Sequence, residues 1–584
     1  MDYEWKEEIP SEQAILEQQS ANKIMAAAFL NRDIPIETAR DIIASPYNGI
    51  DQPLPLINLD KAVDCLYQFL TKEEPRIYIF GDYDTDGITS TTIALQCLNN
   101  FRTALIPKDT EWAAFSKIPE REEGYGLSEE WCRKLVEYEK GNEQNVLVIT
   151  VDNGITKKNA VRLLTEKGIT VLVTDHHKAD TENDMTPACI CVDPQIDYTC
   201  RTGILLAGCG VIFNVMRYFE TKYLHGNHCI TDEYEYLMAI GTIGDMMKMD
   251  YYHGCAVVCG LQRINSDRCP EWLKDILAIF KIQHVSSKTI GFTLSAFLNA
   301  CGQAGNANLA FQMILEPDIS KREELIMQAM QIYNQVRDIT KKEKSYAEEY
   351  LKESDIDKHA VIIYGIETDF PGIVGKIAYH LSELTNKPAI VYNDKGENDI
   401  KGSSRNVNET IPFYDLLKKA QHEGYINSAN GHMFAQGCDF TKEQIPLLLE
   451  FMDKEIGSLI RTGKSTMQFK RTLPIDQYID PDDITMENVK AIECFPFSSN
   501  WKEPSLCIKD APIVNVHRSK SSDKNVCYTV QNSKGQNVEL WAWNIKPYSY
   551  DAKKHTKISL IGTLSRDFRK EFLPMFNVTD FKLS

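Results

Sequence analysis

The chain lacks several features that would place it outside the ordinary soluble globular proteins. No run of about 18 apolar residues occurs, so no transmembrane helix is expected. The N-terminus, MDYEWKEEIP, has no basic segment before an apolar stretch, which argues against a signal peptide. No CxxC pair is present, and the 16 cysteines are scattered, as is usual in a reducing compartment. These absences predict a cytoplasmic location.

Positive charge is also scarce in this sequence. The formal net charge is −19, which lowers the expectation of a polyanionic substrate, because phosphate-binding proteins usually present basic surface. Net charge does not describe local distribution, however, and a bound divalent metal would add positive charge of its own. The net charge therefore does not exclude a nucleic-acid substrate.

The length and the pattern of apolar runs predict several domains. A chain of 584 residues is too long for one hydrophobic core, and strands at 76–80, 145–152 and 170–175 alternate with helical segments as in a parallel α/β sheet. Residues 321–354 contain neither Gly nor Pro and predict one long helix. A second α/β unit follows, and the last 110 residues predict a small all-β barrel. The predicted segments are a helical N-terminus (1–50), an α/β catalytic domain (51–265), a helical region with the long helix (266–354), a smaller α/β domain (355–470) and a barrel (471–584).

Three aspartates follow the first predicted strand. RIYIF (76–80) is followed directly by GDYDTDG, which contains Asp82, Asp84 and Asp86. If the chain stays extended, alternate side chains point to one side, so the three carboxylates would crowd at the C-terminal end of the strand. Open α/β sheets bind ligands at that end, and divalent cations would relieve the repulsion.

Two other interpretations compete for this motif. DYDTDG also fits the start of an EF-hand calcium loop, but that loop needs a glutamate at its final position, where Ile93 stands. The flanking segments also predict a strand and a helix instead of two helices. A solvated acidic turn is the remaining alternative, and the cluster alone does not distinguish it from a metal site.

Further acidic and imidazole groups follow other apolar runs. NVLVITVD ends in Asp152, TVLVTDHH ends in Asp175, His176 and His177, and YLMAIGTIGD ends in Asp245. A single buried histidine is usually structural, but two adjacent histidines after a buried strand are harder to explain in that way. Asp and His together favour Mn²⁺, with Mg²⁺ as the alternative. These groups suffice for a two-metal site that activates water for attack on phosphorus.

The segments GDYDTDG, VDNGIT, TDHH and GTIGD resemble the motifs of the DHH phosphoesterases, in the same order. The resemblance implies two metal ions that share Asp152 as a bridging ligand. The other implied ligands are Asp84 with Asp82 nearby for one ion, and Asp86, His176 and Asp245 for the other. His177 would contact the phosphate or assist protonation, and Asp175 would orient a histidine.

Other segments are similar to the RecJ exonucleases, a branch of this family that acts on single-stranded DNA. IPEREEGYGLSEE (118–130) carries Arg121 where that branch has an arginine that contacts the nucleic-acid phosphate. LLAGCGVIF (205–213) and TIGFTLSAFLNACGQAG (289–305) also resemble segments of this branch.

The second α/β unit resembles the DHHA1 domain of the same family. PGIVGKIAYHL (371–381) is similar to its helix-opening motif, GSSRN (402–406) to its phosphate-binding turn and GHMFAQG (431–437) to its Gly-His signature. The resemblance implies that Ser403, Arg405 and His432 hold the nucleic-acid strand. Arg405 suits this role because its planar guanidinium matches a phosphate.

The C-terminal strands resemble the OB-fold of the RecJ exonucleases, beginning at FPFSSNWKEPSLCI (495–508). OB barrels bind single strands through aromatic side chains in a basic groove. The candidates are Tyr528, Trp541, Trp543 and Lys546, and each could equally belong to the core. The chain departs from the family pattern at Gln303, where an arginine is usual, at Phe370 and at Asn430.

The combined resemblance implies an exonuclease that degrades single-stranded DNA from 5′ to 3′ in DNA repair and recombination, with two Mn²⁺ or Mg²⁺ ions. We expect a monomer without membrane contact, and a single-stranded-DNA-binding protein or a helicase as a protein partner. Two alternatives remain. One is a phosphodiesterase for short oligonucleotides or cyclic dinucleotides, and the other is a non-catalytic nucleic-acid-binding replication factor of the same fold.

Overall fold

The computed structural model describes residues 3–17, 22–108, 112–120, 123–179, 189–196, 203–224, 229–353, 358–395, 398–432, 435–466, 472–519, 522–542, 557–567 and 573–583. The chain divides into two compact units. The first unit comprises residues 54–231 and 294–469, and the second comprises residues 2–53, 232–293 and 470–584. The domain boundaries expected from the sequence stay predictions.

The strands differ in length between the units. They are β1 Glu4–Glu7, β2 Arg76–Phe80, β3 Phe115–Lys117, β4 Val146–Val151, β5 Thr170–Thr174, β6 Ile190–Val192, β7 Ile362–Ile366, β8 Ala389–Asn393, β9 Asp399–Arg405, β10 Ser428–His432, β11 Ala435–Thr441, β12 Thr472–Ile475, β13 Gln477–Tyr478, β14 Leu506–Ser519, β15 Ser522–Gln531, β16 Asn537–Ala542, β17 Lys557–Asp567 and β18 Leu573–Leu583.

The helices include one that is far longer than the rest. They are α1 Glu12–Glu17, α2 Lys23–Asn31, α3 Ile36–Ala44, α4 Tyr47–Ile50, α5 Leu59–Leu70, α6 Thr85–Leu105, α7 Glu129–Tyr138, α8 Lys158–Thr165, α9 Gly208–Tyr223, α10 Glu235–Gly244, α11 Tyr251–Ile264, α12 Glu271–Ile279, α13 Ser287–Thr289, α14 Ser295–Gln303, α15 Ala307–Leu315, α16 Ile319–Glu353, α17 Val374–Thr385, α18 Phe413–His422, α19 Gln444–Arg461 and α20 Met486–Glu493.

The first unit contains the predicted parallel sheet. Its strand order is β3-β2-β4-β5-β6, and every pairing is parallel. The central strand β4 is buried along its whole length, as its unbroken run of apolar residues and Thr150 requires when helices cover both faces of a sheet. The C-terminal ends of the strands lie on one edge of the sheet, so the residues that follow β2, β4 and β5 meet there.

The first unit also contains a mixed sheet of order β10-β11-β9-β8-β7. Strands β7 and β8 are parallel, and the other pairs are antiparallel. The segment GSSR was expected to form a turn, and this was wrong, because these residues complete β9 between β8 and β11. The predicted long helix is confirmed as α16, with 35 residues.

The second unit contains the predicted all-β barrel. Its order is β13-β14-β15-β16-β18-β17, and β14 pairs with β17 to close the barrel. Helices at the N-terminus are confirmed, but β1 was not predicted. EWKE has no apolar alternation, and its strand conformation comes from parallel pairing with β12. Arg32 joins α2 to this unit through Asp476, with 2.9 Å between Nη2 and Oδ2.

Among the described residues, no helix combines the length and the apolar character that crossing a membrane requires.

Candidate metal centre

The three aspartates of GDYDTDG occupy different local structures. Asp82 follows β2 after one glycine, Asp84 is the N-cap of α6, and Asp86 lies in the first turn of that helix. The Asp84 carboxylate accepts a hydrogen bond of 2.9 Å from the Gly87 amide. The expectation of an extended chain through Asp86 was therefore wrong, because N-capping by Asp84 starts the helix at Thr85.

The glycine that closes this motif is required by close packing. A Cβ at Gly87 would overlap the backbone of Asp82. Only glycine therefore lets the chain reverse from strand to helix within so few residues.

Asp86 is fixed by the start of α9, within the segment LLAGCGVIF. Its two carboxylate oxygens accept hydrogen bonds of 2.6 Å and 2.9 Å from the amides of Gly208 and Cys209. A Cβ at Gly208 would lie 2.6 Å from the Cβ of Asp152, so glycine allows this helix end to approach both aspartates. The segment thus orients carboxylates, a role that its sequence alone did not reveal.

Asp152 lies at the centre of the acidic cluster. It follows β4 with a left-handed backbone at φ 60°, and its Oδ1 is 3.1 Å from Nε2 of His176. His176 Nε2 also lies 3.8 Å from Oδ2 of Asp86. Within the described part of the first unit, ligand atoms that lie within 4.8 Å of one another occur in two sets, Asp82, Asp84 and Asp152, and Asp152, His176 and His177. Asp152 belongs to both sets.

The donor atoms of this cluster fit divalent metal ions. Burial, together with the neighbouring Asp84 carboxylate, raises the pKa of Asp86 to about 6. Hard cations with oxygen ligands relieve such crowding, and imidazole among the donors favours a first-row ion such as Mn²⁺.

Asp175 holds His177 in place. Its Oδ1 lies 2.8 Å from His177 Nδ1, and the amides of Ile155, His176 and His177 donate to the same carboxylate. Burial acts to raise the pKa of Asp175, but His177, His176 and the Ile155 amide together keep it below its ordinary value. These contacts fix the orientation of the His177 ring, and the roles expected of both residues in catalysis stay predictions.

Two residues at the site were missed by sequence reasoning. The Tyr125 hydroxyl donates a 3.0 Å hydrogen bond to the Asp152 carbonyl and lies 3.1 Å from the ring nitrogens of His177. The Lys157 ammonium lies 5.1 Å from the centre of the Tyr125 ring. Tyr125 stands in the EGYG motif, which could have indicated it, whereas no pattern in the sequence singles out Lys157.

Ser403 and Arg405 are brought together in the mixed sheet. Arg405 Nη1 donates a hydrogen bond of 2.8 Å to Ser403 Oγ and one of 2.7 Å to the Ser404 carbonyl. The guanidinium lies against Gly375, whose added Cβ would be 2.8 Å from Nη2. Among the described residues Arg405 has no carboxylate partner, and burial lowers its pKa to about 10.

Helix α14 contacts both the aspartate loop after β2 and the segment that precedes α17 in the first unit. The Asn299 side chain accepts a 2.8 Å hydrogen bond from the Thr85 amide, and Gly302 packs against the Tyr83 carbonyl. At its end, Gln303 lies so close to Gly372 that an added Cβ there would be 2.5 Å from the Gln303 Cα. The aspartate loop and the start of the DHHA1-like domain therefore pack on the same short helix.

The remaining predicted residues have different outcomes. Asp245 belongs to the second compact unit, where it caps α10, and its role as a ligand stays a prediction. The apolar run that precedes Asp245 in the sequence is a helix buried on nearly all sides. Arg121 lies outside the described residues, and His432 ends β10 with its side chain outside them.

The aromatic candidates of the barrel are only partly described. Tyr528 is fully buried against Phe581, so the core interpretation applies to it. Trp541 is half-buried, with its ring 5.6 Å from that of His517. Trp543 and Lys546 lie outside the described residues.

Three protein-family models match successive parts of the chain. Residues 76–242 match the DHH family N-terminal domain, residues 358–458 the DHHA1 domain and residues 475–573 the RecJ OB domain. These matches confirm the predicted fold class of a parallel-sheet DHH domain, a smaller α/β DHHA1 domain and an OB-like barrel.

Relatives and solved structures agree with this assignment. The single-stranded-DNA-specific exonuclease RecJ of Bacillus subtilis strain 168 is 26% identical over 580 residues, covering 98% of this chain and 69% of that protein. The crystal structure of RecJ in complex with Mn²⁺ from Thermus thermophilus aligns with TM-score 0.77 at 20% identity, covering 100% of this chain and 80% of that one. A structure of exonuclease RecJ bound to manganese aligns with TM-score 0.56 at 25% identity, covering 69% and 95%.

Proposed function

Because the chain belongs to the RecJ family of DHH phosphoesterases, we propose that it is a metal-dependent exonuclease that degrades single-stranded DNA from 5′ to 3′ and releases 5′-mononucleotides. The observation that carries the proposal is that Asp152 shares one set of ligand atoms with Asp82 and Asp84 and another set with His176. A carboxylate that belongs to both sets can bridge two metal ions, an arrangement that stabilises the attacking and leaving oxygens of an in-line displacement at a phosphodiester.

The acidic cluster would hold two Mn²⁺ or Mg²⁺ ions. Asp82 and Asp84 would serve one ion, Asp86, His176 and Asp245 the other, and Asp152 would bridge them. Divalent ions bound there supply an activated water and stabilise charge on the attacked phosphate.

The protein's own groups would orient and protonate the substrate. Asp175 fixes His177 at 2.8 Å through Nδ1, and the Tyr125 hydroxyl lies 3.1 Å from the same ring. This pairing directs the imidazole so that it can contact the phosphate or protonate the leaving oxygen. Because Tyr125 also donates to the Asp152 carbonyl, the histidine and the shared aspartate are held in one hydrogen-bonded group.

Strand binding would fall to the DHHA1 domain. Arg405 and Ser403 present a guanidinium and a hydroxyl that already contact each other, and no described carboxylate neutralises the charge. A DNA phosphate would supply the missing anion, and the planar guanidinium can bind it with two parallel hydrogen bonds.

Digestion of single strands labelled at either end tests the proposal. With Mn²⁺, a 5′ label should be released at once as a mononucleotide, and a 3′ label should pass through a ladder of shortening fragments. Release of the 3′ label first would contradict the direction, and cleavage of dinucleotides without cleavage of long strands would point to an oligonucleotide phosphodiesterase. Absence of any hydrolysis in Mn²⁺ or Mg²⁺ would favour a non-catalytic binding protein.

A further inference from the structure

Lys157 projects from the loop after β4 toward the metal centre. It is the N-cap residue of α8, and its amide donates a hydrogen bond of 2.9 Å to the Gly154 carbonyl, which closes a turn. Its side chain runs past Gly126, where an added Cβ would lie 3.1 Å from the lysine Cε. Gly126 has φ 62° and leaves the room that the aliphatic chain of Lys157 occupies.

The end of this side chain faces groups already placed in the centre. The ammonium lies 5.1 Å from the middle of the Tyr125 ring, and the hydroxyl of the same ring lies 3.1 Å from His177. The acidic groups that act on the ammonium are Asp82 and Asp175. Lys157 is thus a cation at the edge of a cluster otherwise composed of carboxylates and imidazoles.

Lys157 is close to these acids without being paired to one. Among the described residues, its ammonium forms no ion pair with any carboxylate, although many surface lysines of the chain do, such as Lys222 with Asp64 at 2.6 Å. Lys157 is half-buried, and burial lowers its pKa although Asp82 and Asp175 act to raise it. A partly desolvated ammonium without a close partner is costly unless an anion binds beside it.

The charge balance of the centre indicates which anion this is. Asp82, Asp84, Asp86, Asp152 and Asp175 carry five negative charges, and Asp245 as the further proposed ligand adds a sixth, so two divalent ions would leave an excess of negative charge. A phosphodiester entering such a site would meet residual negative charge. One lysine at its edge reduces that excess.

We propose that Lys157 binds a non-bridging oxygen of the substrate phosphate at the metal centre and so acts as a catalytic residue of this chain. The proposal rests on the proposed nuclease function. The ammonium can donate to the phosphoryl oxygen in the ground state and more strongly as negative charge grows there in the transition state. It would act from the Tyr125 side, beside His177, and separately from Arg405.

Three variants test the proposal in the full-length protein loaded with Mn²⁺. Lys157→Ala removes the charge, Lys157→Arg restores it, and Lys158→Ala makes the same change at the neighbouring lysine, where α8 begins. We expect Lys157→Ala to lower kcat/KM on single-stranded DNA by about 10- to 100-fold, as for the loss of a hydrogen bond to a charged group. Lys157→Arg should recover most of this loss, and Lys158→Ala should stay within about twofold of wild type.

Binding of inorganic phosphate to the Mn²⁺-loaded protein, measured by calorimetry, separates a contact from a structural role. Lys157→Ala should bind phosphate at least about tenfold more weakly than wild type and keep its Tm and its Mn²⁺ affinity. Equal phosphate affinity in the two proteins would overturn the proposal, as would a Lys157→Ala loss that Lys157→Arg fails to restore. If wild type does not hydrolyse DNA, the proposed function fails, but the phosphate measurement still decides the role of Lys157.

Discussion

The parallel sheet and the mixed sheet of the first unit collect opposite charges at their functional positions. After β2, β4 and β5, carboxylates and imidazoles supply sets of ligand atoms that lie within 4.8 Å of one another. At the end of β9, Arg405 is held by Ser403 and by a backbone carbonyl, with no carboxylate partner among the described residues. The first site would be balanced by bound cations and the second by a bound anion.

The same physical cause acts on both sites with opposite signs. Burial disfavours the charged form of any group, so it raises the pKa of Asp86 to about 6 and lowers that of Arg405 to about 10. A metal ion relieves the first cost, and a phosphate relieves the second. A metal-bound phosphodiester strand would satisfy both, so the pair of sites supports the proposed nuclease function more strongly than either site alone.

The largest expected effect concerns the shared aspartate. Asp152→Asn removes a negative ligand from both sets, so hydrolysis should fall by about a thousandfold or more on every phosphodiester, as when a member of a catalytic unit is lost. Initial rates on single-stranded DNA and on bis(p-nitrophenyl) phosphate measure this. Asp60→Asn is the matched control, because Asp60 is an exposed carboxylate paired with Lys222. Equal rates in the two variants would place the chemistry elsewhere.

The Arg405→Ala variant should separate strand binding by the mixed sheet from hydrolysis at the metal centre. We expect KM for long single-stranded DNA to rise by about 10- to 100-fold, because a charged hydrogen-bond donor to phosphate is lost. The rate on bis(p-nitrophenyl) phosphate should stay near that of wild type, since the small diester needs only the metal centre. Arg461→Ala, in the last turn of α19, serves as the control. A comparable loss on both substrates would show that Arg405 supports the metal centre itself.

Gly372→Ala should test the packing through α14. The added Cβ would lie 2.5 Å from the Gln303 Cα, so backbone must move. We expect the free energy of unfolding to fall by about 1–3 kcal/mol, the usual cost of overpacking. Gly457→Ala is the control, because its Cβ would meet only the end of the Arg461 side chain at 3.3 Å. Chemical denaturation of both variants measures the difference, and equal stability would refute the close contact.

The smallest expected effect is a pH dependence of metal stabilisation. The pKa of Asp86 is raised from 3.8 to about 6 in the folded metal-free protein, so its contribution to stability is present at low pH and is lost as pH rises through 6. Mn²⁺ binds the ionised form, so the rise in Tm on adding Mn²⁺ should grow between about pH 4 and 7. Scanning calorimetry measures this, and a rise in Tm that is independent of pH would contradict it.

Much of the candidate metal centre could be predicted, because the candidate ligands follow the apolar strand segments closely in the sequence. The apolar runs before Asp82, Asp152 and Asp175 are confirmed as β2, β4 and β5, and parallel pairing alone brings their ends together. What followed each strand was less predictable. Capping by Asp84 started a helix early, and the run before Asp245 formed a helix, because an unbroken apolar run does not distinguish a buried helix from a buried strand.

Contacts between distant segments could not be predicted from the sequence. Tyr125 reaches Asp152 and His177 from a loop whose EGYG motif marks the residue without showing what it contacts, and Lys157 carries no local signal at all. The pairing of β1 with β12 joins residues far apart in the chain without apolar alternation in β1. These features depend on tertiary packing, which periodicity in one segment does not record.

Counting bound Mn²⁺ by electron paramagnetic resonance tests the shared aspartate most directly. Wild-type protein should bind two ions per chain, and Asp152→Asn should bind at most one with comparable affinity, because both sets of ligand atoms include Asp152. A wild-type protein that binds a single ion, or an Asp152→Asn variant that binds two as tightly as wild type, would contradict a two-metal centre built on this residue.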